Sequence, residues 1–273
     1  VSGVSKQEPR QSGMRQLLFF SIIVVSCGWL GRFVDIYAGT DENGSLGQLI
    51  WIVTPVIAMI ALRSFTADGW KDFGWRLNLR GNAVRYAVSI LFYPVIGTIV
   101  VLVGSQMGWL SGGILSYAFI GAVAASLLPS LAKNVFEEFA WRGYLVPRLL
   151  TMGHHRLFVH AYTGIIWGAW HFPYLYRFVE TSESMLTFIP RFLLGMIIAS
   201  IVYGEIRWRT NSVWPAVLMH TFGNAFIDTM ILKTYIIVDP QHFSLAMPSP
   251  EGLLTIGLTA CAAYALYAQK HAR

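Results

Sequence analysis

Eight apolar runs, each about long enough to cross a bilayer, dominate this 273-residue chain. They fall near 17–37, 46–62, 83–103, 114–132, 157–176, 185–206, 213–232 and 253–268. A helix needs about 17–25 predominantly apolar residues to span the hydrocarbon core. Inside lipid every backbone N–H and C=O must be satisfied within the protein, so runs of this kind fold as helices. Composition agrees. The chain is 55% hydrophobic and only 12% charged, whereas soluble domains carry about 25% charged residues. The expected fold is all-α: a polytopic membrane protein of about eight transmembrane helices with an intramembrane cavity. A polar tail over residues 1–13 is expected to be disordered. Residues 14–273 then form a single helical domain with a motif-bearing core over 130–235. The first run is too long for a signal-peptide core and shows no small-residue cleavage site. The chain opens on Val, and Val1 is not taken as a native start.

The net charge of +6 does not call for nucleic acid, because short basic loops are what membrane topology requires. The basic residues alternate from connection to connection. Lys6, Arg10 and Arg15 precede the first run, and residues 38–45 hold none. Arg63, Lys71, Arg76 and Arg80 follow, and residues 104–113 hold none. Arg142, Arg148 and Arg156 form the next cluster, Arg177 stands alone, Arg207 and Arg209 follow, and Lys233 is again alone before Lys270 and Arg273. This pattern predicts a multi-pass protein of the cell membrane with both termini in the cytoplasm. Cys27 and Cys261 lie in apolar runs at opposite ends of the chain and match no paired metal or disulfide spacing.

Ionisable groups inside such runs are costly, at about 2.5–3.5 kcal/mol each on insertion scales, and mark function by default. The stretch 134–148, NVFEEFAWRGYLVPR, concentrates them. On a helix Glu138 and Arg142 are i,i+4 and share a face, as do Lys133 and Glu137. Two structural ion pairs would account for that stretch taken alone. His171, which ends Trp167-Gly-Ala-Trp-His171, and the i,i+4 pair His220 and Asn224 place further polar groups on two other runs. If residues 151–155 form the turn of an antiparallel hairpin, Glu137 and His171 both lie about 20 Å from it and share a level. His220 lies about 10 Å from the start of its own run, so the depths agree only if that hairpin projects into the cytoplasm. Gly164 and Gly168 form a small-xxx-small pattern that permits close helix packing.

A carboxylate and an imidazole flanking a water suit general-base hydrolysis. A second imidazole and an amide supply donors for a developing oxyanion. Gly-x-Ser-x-Gly and HExxH signatures are absent. A zinc ion held by His171, His220 and a carboxylate is an alternative set. A non-enzymatic scaffold or immunity factor that binds a partner, with the polar cluster merely joining helices, and a proton-coupled transporter are the readings from other classes.

Glu137-Glu138-x-x-x-Arg142, an aromatic-x-x-x-His ending at His171, and His220-x-x-x-Asn224 resemble, in order, the three motifs of the CPBP family. That family comprises type II CAAX prenyl endopeptidases and bacteriocin-processing or immunity proteins. The resemblance implies an intramembrane glutamic endopeptidase, without cofactor, cutting a peptide or protein near the cytoplasmic face. The substrate would be prenylated or bacteriocin-like. Glu137 and His171 would then activate water, His220 and Asn224 would hold the oxyanion, and Glu138 and Arg142 would support them. Trp167 stands where the family usually has Phe. Asp228, one turn past Asn224, is an additional acid on the same face that either orients Asn224 or is an unrelated interfacial residue, and the latter is the simpler reading.

Overall fold

The computed structural model describes residues 8–40, 44–178, 181 and 183–269. The protein is almost wholly helical, and each apolar run coincides with one long helix. These are α1 (Glu8–Tyr37), α2 (Leu46–Phe65), α3 (Ala83–Gln106) and α4 (Tyr117–Ala140), which continues through a π-helical turn (Trp141–Leu145) into α5 (Val146–Thr151). After a short turn come α6 (Arg156–Phe178), α7 (Met185–Thr210), α8 (Trp214–Leu232), the one-turn α9 (Phe243–Ala246) and α10 (Leu253–Ala268). Helix α1 begins at Glu8, inside the stretch read as a tail. Gly13 is buried there, its face turned to Met152. The rest of that tail, residues 1–7, lies outside the described residues.

Among the described residues, five helical stretches are long and apolar enough to cross a membrane: Gly13–Tyr37, Leu46–Phe65, Ala83–Gln106, Tyr117–Thr151 and Met185–Thr210. The protein is therefore a polytopic membrane protein. The expected eight is not reached by this measure. Helix α6 carries Arg156, His160 and His171, α8 carries His220, Asn224 and Asp228, and α10 has only 16 residues. Of these, His171, His220 and Asn224 are motif residues, while Arg156 and His160 bond to Glu205 on α7.

The long helices close into a ring. In contact order it runs α2, α1, α6, α7, α10, α3, α8, α4 and back to α2, and α7 also touches α8 across the interior. Glycines permit the closest approaches. A Cβ on Gly31 would lie 2.3 Å from the Gly47 carbonyl oxygen, and one on Gly164 would lie 2.5 Å from Ile197 Cα. A Cβ on Gly168 would lie 2.6 Å from Leu193, so the Gly164/Gly168 pattern does mark a tight helix contact, between α6 and α7. Helix starts are capped where the chain supplies a hydroxyl: Ser45 Oγ accepts from Gln48 N at 3.2 Å, and Ser116 Oγ from Phe119 N at 3.1 Å. A two-stranded antiparallel ribbon, β1 (Leu110–Gly112) with β2 (Ile236–Val238), ties the α3–α4 connection to the segment after α8. Hydropathy gives no sign of that ribbon, since three-residue strands leave no periodicity to read.

The stretch Tyr117–Thr151 is 35 residues long and rises about 52 Å, well beyond the ~30 Å hydrocarbon core. Its first half is mostly exposed on the outside of the ring, and its second half, from Glu137 to Leu149, is mostly enclosed by protein. The enclosure comes partly from the connection between α2 and α3. Phe73 packs edge-on to Phe139 at 5.2 Å, and Tyr144 donates to Asp68 at 2.7 Å. The π turn re-aims backbone carbonyls, and two buried arginines from elsewhere take them. Arg207 Nε donates to Arg142 O at 3.0 Å, and Arg63 donates to Gly143 O.

Candidate active site

Helix α4 presents Asn134, Glu137 and Glu138 to the interior, and all three are fully buried. Their spacing of three and four residues puts them on one helical face. Glu138 is doubly held. Arg142 Nη1 donates to its Oε1 at 3.1 Å, and His220 Nδ1 lies 2.9 Å from the same oxygen. Arg142 is sandwiched between two rings, its Cζ 4.2 Å from the Trp167 centroid and 4.3 Å from that of Tyr203. A guanidinium fits this slot because it is flat, permanently charged and weakly hydrated.

Glu137 turns to other partners. Trp167 Nε1 donates to its Oε2 at 3.1 Å, and Lys133 Nζ lies 3.8 Å from its Oε1. Both i,i+4 ion pairs expected from the sequence thus form. The hairpin turn falls between α5 and α6, at 152–155, and the level reached opposite Glu137 is that of Trp167, one turn nearer the turn than His171. His171 follows one turn on, its Nδ1 2.8 Å from the Trp167 carbonyl oxygen. A carbonyl only accepts, so Nδ1 carries the proton and Nε2 of the neutral ring presents a lone pair. Trp167 therefore bridges the two residues, indole to Glu137 and carbonyl to His171. The imidazole is framed by Trp170 at 4.8 Å, Trp51 at 5.9 Å and Phe192 at 6.0 Å.

On α8, His220 packs edge-on against Trp167 at 5.4 Å and Tyr203 at 5.9 Å. Asn224 Nδ2 donates to Asn134 Oδ1 at 3.3 Å. The three motif-bearing helices thus converge, with Glu137, Glu138, Arg142, Trp167, His220 and Tyr203 in one connected cluster and His171 and Asn224 at its edges. Lys133, His171 and His220 all act electrostatically on the Glu137 carboxylate. Among the described residues no group of three or more His, Cys, Asp or Glu side chains converges as a metal-ligand set.

The functional reading of the sequence does not use Asn134, Tyr203, Arg63 or Arg207, and it assigns Trp167 no part in the chemistry. Asn134 was within reach, being i,i+4 to Glu138. The others join the cluster through contacts between distant helices, which no local spacing announces.

Residues 119–226 match the family model for type II CAAX prenyl endopeptidase, Rce1-like. The chain carries a domain of that family. The Rce1-like domain begins near the start of α4 and ends two residues past Asn224, so it contains every motif residue described above. Helices α1, α2 and α3 lie outside it, and so does α10. A comparison with curated proteins finds no match.

Proposed function

We propose that the protein is an intramembrane endopeptidase in which Glu137 is the general base. The observation that carries this reading is the Trp167 bridge, which ties the Glu137 carboxylate to the His171 ring in a domain whose family is one of CAAX-type endopeptidases. In the proposed reaction a water held between Glu137 and His171 Nε2 loses a proton to Glu137 and attacks the peptide carbonyl carbon. The carbonyl π electrons move to oxygen, and the oxyanion is met by the Asn224 amide and by Nε2–H of a doubly protonated His220. The tetrahedral intermediate collapses, the C–N bond breaks, and the proton passes from Glu137 to the leaving amine. Glu138 and Arg142 hold His220 in place. Preorganised donors aimed at developing charge are worth most where water is excluded, and the burial of this cluster supplies that condition.

The substrate class proposed is a peptide or protein segment reaching the site from the membrane, prenylated or bacteriocin-like as the family resemblance implies. We place eight helices across or within the membrane and both termini in the cytoplasm. The alternating basic connections support this arrangement, and cysteine labelling from either side of the membrane tests it. The activity is tested with purified protein and farnesylated and unmodified peptides. Glu137→Ala should lower the cleavage rate by about 10²-fold or more with its helical content unchanged. Undiminished cleavage by that variant removes Glu137 from the role.

A further inference from the structure

A cleft of about 370 Å³ opens between α4 and α8, lined by Ser126, Ser130, Asn224, Asp228, Thr229 and Lys233 among others. It meets the candidate site at Asn224. Its walls are largely apolar, with one hydroxyl pair, Ser126 Oγ and Thr229 Oγ1, at 3.0 Å. Asp228 is exposed into it, one turn past Asn224. Among the described residues Asp228 makes no ion pair or hydrogen bond. The charged and titratable groups acting on it are Lys133, His220, Glu137 and Glu251. Lys133 points to Glu137, and Lys233, the residue after the last turn of α8, lines the cleft without an ion pair to Asp228. A carboxylate between low-dielectric walls with no cation within contact is costly and attracts one.

We propose that this cleft holds the peptide substrate and that Asp228 receives a lysine or arginine side chain of that peptide, two residues from the bond that is cut. The inference rests on the endopeptidase reading for its substrate. The spacing follows from the helix. Asn224 to Asp228 is about 6 Å along α8, and an extended peptide covers about 3.3–3.6 Å per residue.

The test reads binding rather than cleavage. In a Cys261→Ser background, with Cys27 buried, a reporter thiol is introduced as Ser130→Cys or, at the exposed rim, as Leu232→Cys. Cationic and anionic methanethiosulfonates are then compared. The cationic reagent should react about tenfold faster, and Asp228→Asn should abolish the difference. A hydrophobic peptide with one lysine should slow labelling at least about fivefold, and its glutamate counterpart should not. Asp228→Lys should reverse that order. No charge preference at either thiol, or equal protection by the two peptides, overturns the proposal. Loss of cleavage in the wild-type protein with protection intact instead overturns the endopeptidase reading and leaves the berth standing.

Discussion

At the scale of single residues the buried carboxylates do different work because different side chains reach them. Glu138 is enclosed by a guanidinium and an imidazole on one oxygen. Removing the guanidinium leaves a buried acid short of its main counter-charge, which costs about 3–5 kcal/mol. Arg142→Ala should therefore lower the unfolding temperature sharply in detergent, as thermal denaturation followed by circular dichroism would show. Glu137 is held more lightly, by an indole and a distant ammonium. Trp167→Phe deletes the Nε1 donor and keeps a smaller aromatic ring beside Arg142. A hydrogen bond to a charged group contributes about 1.5–3 kcal/mol, so kcat should fall by about 10–100-fold with KM little changed. An unchanged kcat would mean that Trp167 only packs.

Two elements govern how these residues meet. The contact of α6 with α7 depends on Gly164, where an added Cβ would meet Ile197 backbone at 2.5 Å. Backbone cannot swing aside as a side chain can. Gly164→Ala should cost about 1–3 kcal/mol and displace Trp167 one turn away, lowering both the unfolding temperature and activity. The π turn is the second element. Such turns occur often at functional sites, and here it ends the α-helical run three residues after Glu138 and spans Arg142. Its stability depends on Arg207, which donates to Arg142 O at 3.0 Å and to Asp72 O at 2.6 Å. Arg207→Ala leaves buried carbonyls unpaired at about 1–3 kcal/mol each, a loss that thermal unfolding would register.

Over the whole molecule, the ring is tied outside its membrane-spanning stretches by short connections whose acids respond oppositely to pH. Arg191 joins two of them, pairing with Glu183 and donating to the Glu251 carbonyl at 2.6 Å. The Arg191 guanidinium holds the Glu183 carboxyl below its ordinary 4.5, so its contribution is present above that value and is lost as pH falls through the lower folded value. Burial pushes Glu251 above 4.5, so its contribution is present below that value and is lost as pH rises through the higher folded one. Glu183→Gln should remove part of the acid-side loss of stability, and Glu251→Gln part of the loss on the other side. Unfolding temperature measured from pH 3 to pH 8 for the three proteins checks both signs.

Helix positions were legible because an apolar run in lipid has few alternatives. Sequence spacing determined α10 to the residue, the Glu138–Arg142 and Lys133–Glu137 pairs, and the Gly164/Gly168 packing face, all of which depend on neighbours within about one helical turn. The tertiary structure alone decided which oxygen of which carboxylate each distant group reaches. Trp167 on Glu137, His220 on Glu138, Asn134 under Asn224 and the arginines on the π turn are contacts across 30 to 90 residues. The order in which helices close the ring sets them, and a side-chain spacing along one helix carries no information about the helix it will face.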